Sequence, residues 1–182
     1  MIRLYSIGAF PMSFSEGLNW YIPSTRCVIY VNNFNYPRSL RQFIKKNTFL
    51  IKFDFDTINI IRNCAARNET WISEKLIDAY MKLINEGYLH SVAVFQNEKL
   101  VGGLFGITIN GVFIGESMFN TVPQTSKVAL INLLERLKER KYKICDVQFL
   151  TPLLKLFGAT EISFDEYKKL LKESYKIATT FA

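Results

Sequence analysis

Apolar side chains recur along this chain at two periods, and the switches between them mark its elements. Between 73 and 86, Leu76, Ile77, Tyr80, Leu83 and Ile84 share one helical face, with Ser73 placed to cap the start and Gly87 one residue past the end. Three strands are predicted next, over 90–96, 100–109 and 112–118. Turns at Asn97-Glu98 and Asn110-Gly111 join them, and Asn-Gly between apolar runs is a strong hairpin signal. A second amphipathic helix fits 123–140, and 143–149 reads as a further strand. Ser163 and Glu166 form a capping box for a last helix carrying Tyr167, Leu170, Leu171 and Tyr175. Earlier in the chain, 38–46 (RSLRQFIKK) reads as a short basic helix and 49–53 alternates as a strand would. A helix over 56–67 puts Ile58, Ile61 and Ala65 on one face, with Asp56 as its N-cap. Residues 1–36, rich in aromatics, Gly, Pro and Asn, show one β-like run at 27–31 and are read as an irregular segment closing onto a core.

Helices, a β-meander, a helix, a strand and a helix, in that order, predict an α+β fold. Strands meeting antiparallel, followed by one reached through a helix, give a mixed sheet of the acetyltransferase-like (GNAT-like) kind. No repeat, low-complexity tract or linker divides the chain, so a single domain over 37–182 is expected behind the segment 1–36.

Composition narrows the picture. Hydrophobic residues make up 49% of the 182 positions and charged ones 21%, a globular balance far from that of a disordered chain. The surplus of basic over acidic residues is 23 − 16 = +7, which favours polyanionic partners without establishing one. Cys27, Cys64 and Cys145 form no CxxC pair, and with a single histidine they supply no standard zinc site. Reduced thiols, a poor signal peptide and the lack of an 18-residue apolar run point to a soluble, cytoplasmic protein.

Familiar catalytic signatures are missing. There is no GxGxxG or GxxxxGK[ST] phosphate loop. Gly102, Gly103 and Gly106 lie inside a predicted strand, where they permit a bulge or a close backbone approach. His90 opens a strand with no evident carboxylate partner and reads as a surface or edge residue. Glu116, by contrast, sits in the apolar run FIGESMF, and Asp146 and Gln148 alternate in ICDVQFL, so both should leave one face of their strand. Two carboxylates and an amide on neighbouring strands could orient an amine or relay a proton. They could equally face solvent or satisfy one another, and the residues alone leave both readings open.

At these segments the sequence resembles the leucyl/phenylalanyl-tRNA–protein transferase family. GESMF at 115–119, Ser126-Lys127 on the next helix, and Asp146-x-Gln148 are similar to its signature. GAFPM at 8–12 resembles the family's GIFPW, WYIPSTR at 20–26 its WWSPDPR, ETWI at 69–72 its GTWI, and ATEI at 159–162 its GA-x-EIP. The resemblance implies an acetyltransferase-like catalytic domain, monomeric and away from membranes, working without metal or nucleotide cofactor. Its reaction would move Leu, Phe or Met from charged tRNA to the N-terminal Arg or Lys of a protein, an N-degron mark for degradation. It assigns the catalytic positions to Asp146, Gln148 and Glu116, with Asp146 polarising the incoming amine through or beside Gln148. It assigns a side-chain pocket to Leu104, Phe113, Leu130, Leu133 and Leu137. Lys45 and Lys46 match a basic pair, Arg38 and Arg41 share their helix, and Trp20 and Trp71 match aromatic positions, all of them candidates for tRNA contact. Lys168, Lys169, Lys172 and Lys176 are read as a solvated face.

Departures accompany the likeness. The chain starts almost at the GIFPW-like motif, where the family has a further GGDLS-like segment. Met12 stands where the family has tryptophan, and Leu153 where it commonly has histidine. These leave room for a related transferase with another donor or acceptor, or for a non-catalytic tRNA- or protein-binding module.

Overall fold

A computed structural model of the chain describes residues 1–14, 17–67 and 70–182. Its centre is a seven-stranded sheet in the order β4-β5-β6-β7-β8-β3-β9. The strands are β3 (Thr25–Tyr30), β4 (Leu50–Phe53), β5 (Leu89–Gln96), β6 (Lys99–Ile109), β7 (Val112–Asn120), β8 (Ile144–Gln148) and β9 (Thr160–Ser163). Every neighbouring pair is antiparallel except β7 and β8, which run parallel, giving the mixed sheet predicted. A separate hairpin of β1 (Phe10–Phe14) and β2 (Gly17–Tyr21) follows a single-turn helix, α1 (Ile2–Tyr5). Residues 1–36 thus contribute a helix, a hairpin and an inner strand of the main sheet.

Helices cover both faces of that sheet. One core, built on Ile60, Ile61, Leu76, Tyr80 and Phe105, lies under α3 (Thr57–Ala65), α4 (Glu74–Asn85) and α7 (Phe164–Ser174). The other, built on Val92, Leu130, Leu133, Leu134 and Leu137, lies under α5 (Thr125–Glu139) and α2 (Arg38–Lys46). A short α6 (Pro152–Leu156) follows β8.

Local chemistry accounts for most boundaries. The Ser73 hydroxyl accepts from the Leu76 N–H at the start of α4. At its other end the Gly87 and Tyr88 N–H groups bond back to Ile84 and Leu83, closing a Schellman turn. The capping box at α7 is complete, Ser163 Oγ accepting from Glu166 N and Glu166 Oε2 from Ser163 N. Asp56 does stand at the head of α3, but in the left-handed region (φ 57°) and without capping it, because its Oδ1 is taken by the Asn59 amide. Asn97 and Glu98 both have positive φ, the twist that a two-residue hairpin turn demands.

Two bulges interrupt the ladders on either side of the parallel pair. On β7, Phe105 pairs with Ser117 and Gly106 with Gly115, so Glu116 is a bulged residue with no cross-strand partner. On β8, Val28 pairs with Asp146 and Cys27 with Gln148, leaving Val147 bulged in the same way. Gly106 allows the first bulge: a Cβ there would lie 2.3 Å from the Ile114 carbonyl oxygen. Gly102 serves α5, since a Cβ would lie 2.5 Å from Thr125 Oγ1, which bonds to the Val101 carbonyl at 2.7 Å. Both glycines behave as the close-approach positions expected.

Candidate active site

The parallel pairing of β7 and β8 covers only Val112↔Ile144, Phe113↔Cys145 and Ile114↔Asp146. Beyond it the two strands part at the bulges of Glu116 and Val147, β7 staying with β6 and β8 with β3. A crevice at the carboxyl end of parallel strands is a favoured ligand position. Here a cleft of about 530 Å³ opens there, lined among others by Glu116, Gln148, Met12, Trp71 and Leu153. An apolar cavity of about 120 Å³ adjoins it, walled by Leu104, Phe105, Phe113, Leu130, Leu133 and Cys145. The two spaces share Gly115, Glu116, Ser117, Met118, Val147 and Leu154, so the cleft and the apolar cavity meet at the bulges.

The bulge also decides which way β7 side chains point. Val112 and Ile114 join the core under α3 and α4, whereas Met118 packs with the core under α5. Strict alternation would have put all three on one face. Glu116 is aimed at the first core, where the Tyr80 hydroxyl donates to its Oε2 at 2.6 Å. The Tyr5 hydroxyl lies close by without a direct hydrogen bond, and Oε1 of Glu116 has no partner among the described residues. Burial pushes the Glu116 carboxyl up to about 7, the hydroxyls of Tyr80 and Tyr5 and the charge of Arg26 pulling against that rise. Burial likewise holds the phenols of Tyr5 and Tyr80 protonated, with Glu116 beside them acting in the same direction.

Asp146 lies behind the cleft and does not line it. It is 0% exposed, as is its partner Arg26. Arg26 Nε donates to Oδ1 at 2.8 Å and Oδ2 at 2.9 Å, and Nη2 to Oδ2 at 2.7 Å. The Tyr167 hydroxyl donates a short bond to Oδ2, and the Gln148 backbone N–H one of 2.9 Å to Oδ1. Arg26 sits between the rings of Phe10 and Tyr167, at 4.6 and 5.2 Å from their centroids. Burial opposes its charge, but Asp146 and the Tyr167 oxygen more than compensate and raise its pKa. This is a charge-assisted, multidentate pair.

Gln148 does not continue the alternation of β8. Its φ is +63°, a left-handed conformation held at one end by the bond from its N–H to Asp146. Its Nε2 spans the split to donate to the Gly115 carbonyl at 3.0 Å, and its Oε1 makes no bond among the described residues. Asp146 and Gln148 are therefore joined through backbone rather than presented side by side on one strand face.

The other predicted positions separate into groups. Leu104, Phe113, Leu130 and Leu133 wall the cavity, while Leu137 is fully buried core outside it. Trp71 lines the cleft; Trp20 packs edge-on against Tyr5 at 5.1 Å. Arg38, Arg41 and Lys45 surround a separate recess with Tyr36 and Gln42, Arg41 lying 4.6 Å over the Tyr36 ring, and Lys46 is exposed beside them. Glu69 of the ETWI motif lies outside the described residues. His90 does have a carboxylate neighbour, Asp54 Oδ2 at 2.8 Å from Nδ1, which sequence distance concealed. Burial raises the Cys27 and Cys64 thiols to about 11 and 12 and Cys145 further, so all three are poor nucleophiles. Arg26, Tyr5, Tyr80 and Tyr167 are the site-forming residues that sequence reasoning passed over. Arg26 ends the WYIPSTR motif, and that was the one available signal.

A sequence profile described as leucyl/phenylalanyl-tRNA protein transferase matches residues 28–172. The chain is 40% identical over 182 residues to a protein of Herpetosiphon aurantiacus named leucyl/phenylalanyl-tRNA–protein transferase, a match covering all of this chain and 95% of that relative. A Synechocystis protein of the same name is 40% identical over 175 residues, 95% of this chain and 88% of its own. Among solved structures, L-PGS from Bacillus licheniformis is similar with a TM-score of 0.51 at 12% identity, over 82% of this chain and 56% of that one. That likeness is one of fold, the acetyltransferase-like mixed sheet with packed helices.

Proposed function

The chain belongs to the leucyl/phenylalanyl-tRNA–protein transferase family, and on that premise we propose that it moves Leu, Phe or Met from charged tRNA to the N-terminal Arg or Lys of an acceptor protein, in the cytoplasm. The observation that carries this reading is the meeting, at the two bulges, of an apolar cavity with a wider cleft that Glu116 and Gln148 line. A cavity of about 120 Å³ is on the scale of the ~150 Å³ apolar cavity known to accept a benzene ring. It suits one apolar side chain of moderate size. The ester carbonyl of the aminoacyl group then lies at the cavity mouth, beside Glu116 and Gln148.

The ester is already activated, so alignment supplies much of the rate enhancement. The acceptor α-amine arrives as an ammonium, with an ordinary pKa of ~8. It gives a proton to Glu116, whose carboxyl near 7 lies within about one unit of it. The amine nitrogen then attacks the ester carbon, and the bond to the terminal ribose oxygen breaks. A peptide bond forms, and the ribose oxygen leaves with a proton. Gln148 Oε1 accepts from the amine and aims it. Asp146, with both oxygens engaged by Arg26, Tyr167 and the Gln148 N–H, acts as a positioning residue that keeps Gln148 in its left-handed conformation. Trp71 offers a ring in the cleft for stacking on the terminal adenosine, worth about 1–3 kcal/mol.

Radiolabelled Phe or Leu on tRNA, offered with an Arg-initiated peptide, tests this directly. Transfer should be seen with the unaltered protein and should fall at least tenfold in both Asp146→Ala and Gln148→Ala. No transfer by the unaltered protein from either donor would overturn the reading.

A further inference from the structure

Behind the apolar cavity, the C-terminal segment brings one ring into the core of the molecule. Phe181 is 1% exposed. It stacks on the His90 imidazole (centroids 4.6 Å apart, 26° between planes) and meets Phe53 edge-on at 5.9 Å. On its remaining side it packs against Phe113, at 5.8 Å and 32°. Phe113, fully buried itself, forms part of the cavity wall, whereas Phe181 does not reach the cavity. Two of these partners, His90 and Phe53, and the segment itself are fastened. His90 is bonded to Asp54, Arg136 donates to the Phe181 carbonyl at 3.0 Å while lying over Phe53, and the Thr179 hydroxyl bonds to the Arg140 carbonyl.

We infer that Phe181 sets the depth of the aminoacyl side-chain pocket, acting through Phe113 as a specificity-determining residue for the donor. The inference rests on the donor reading proposed above. Close-packed interiors transmit volume changes to their neighbours, and the lining of a void relaxes only in part. With Phe181 in place, the Phe113 ring has no room to retreat, and the cavity keeps its small volume. With Phe181 trimmed, Phe113 can fall back into the vacated space. A deeper pocket then loses contacts to the shorter Leu side chain and gains room for the longer Phe ring. Discrimination in apolar pockets turns on such small volume differences, typically about tenfold or more per methylene.

The experiment compares kcat/KM for Phe-tRNA with kcat/KM for Leu-tRNA, at one acceptor peptide, in the unaltered protein and in Phe181→Ala and Phe181→Leu. Contributions from each tRNA body cancel when the Phe/Leu ratio of a variant is divided by that of the unaltered protein. The ratio should rise at least threefold in Phe181→Ala, with a smaller rise in the same direction in Phe181→Leu. A merely structural role would lower both rates together and leave the ratio alone. Should Phe181→Ala fail to fold, a rise in Phe181→Leu decides for the inference. A folded variant in which the ratio does not rise decides against it. Loss of transfer from both donors in the unaltered protein would be a failure of the proposed function instead.

Discussion

A carboxyl group that is 8% exposed, bulged out of its strand and bonded by one phenol is held in an unusual state of balance. Glu116 gains one hydrogen bond from Tyr80 and has one oxygen without a partner among the described residues, which does not fully offset the loss of solvation, so its pKa rises to about 7. Two consequences share this cause. In the proposed role of base, Glu116 is competent only when deprotonated, so kcat/KM should climb with pH through about 7 and flatten above it. For stability the sign is opposite to that of a salt-bridged acid. The folded protein binds the proton more tightly than the unfolded chain, so the penalty is absent below the ordinary value of 4.5. It grows as pH rises from there to about 7, where it is complete. Glu116→Gln should therefore lower transfer about 10²-fold or more, remove the limb near pH 7, and flatten the fall in unfolding free energy across that window. Denaturation series at pH 5 and pH 7.5 beside the pH–rate profile would check both. A limb near 7 that persists in the variant would move the base elsewhere.

Among the elements, helices and hairpins with local codes were legible in the sequence. The α4 stripe, the Ser163–Glu166 box and the meander β5–β7 need only the 3.6 and 2.0 periods, a cap and a turn. Strand β3 was harder to place, because its partners β8 and β9 come from the far end of the chain and Arg26 finds Asp146 across 120 residues. Arginine before a short apolar run looks like a solvated strand end. Nothing local announces that Asp146 and Tyr167, far along the chain, will join Phe10 in burying it. The bulges were equally silent, since a bulge is a property of two strands; Gly106 was flagged for one, but its bulged partner was not identifiable. Because that bulge turns Glu116 and Met118 to opposite cores, filling the space at Gly106 should disturb the site as an element. Gly106→Ala sets a Cβ within 2.6 Å of the Phe113 ring and 2.3 Å of the Ile114 oxygen. It should cost roughly 1–3 kcal/mol of stability and reduce transfer more than a cap lesion of similar cost. Ser163→Ala is the comparison, expected to lose about 1 kcal/mol with transfer intact. Urea unfolding and transfer rates on the two variants test the difference, and equal losses of activity would separate the bulge from catalysis.

At the scale of the whole molecule, the charge of +7 is spread unevenly enough to suggest how a polyanion docks. The cleft is framed mainly by apolar and uncharged groups, with Arg67 its one basic lining residue among those described. The recess at α2 gathers Arg38, Arg41 and Lys45, with Lys46 exposed beside it; Glu135 of α5 stands near Arg41 and Tyr36 without lining it. A ring and a guanidinium already stacked, Tyr36 and Arg41, pre-order one wall. By contrast, the lysines of α7 are partly neutralised, Lys168 by Asp165, and Lys143 nearby is paired with Glu173. This asymmetry favours α2 as the face that meets phosphates, and leaves α7 as solvated surface. Each phosphate contact releases counterions and contributes about 0.9 to the slope of log affinity against log salt. Lys45→Glu combined with Lys46→Glu should thus weaken tRNA binding and flatten that slope by about 2. Because Glu116, Gln148 and the cavity are untouched, kcat at saturating donor should hold while KM for the charged tRNA rises. Filter-binding isotherms at several salt concentrations read the slope, and steady-state kinetics read the split. An unchanged slope would take the tRNA backbone off α2, whatever the effect on rate.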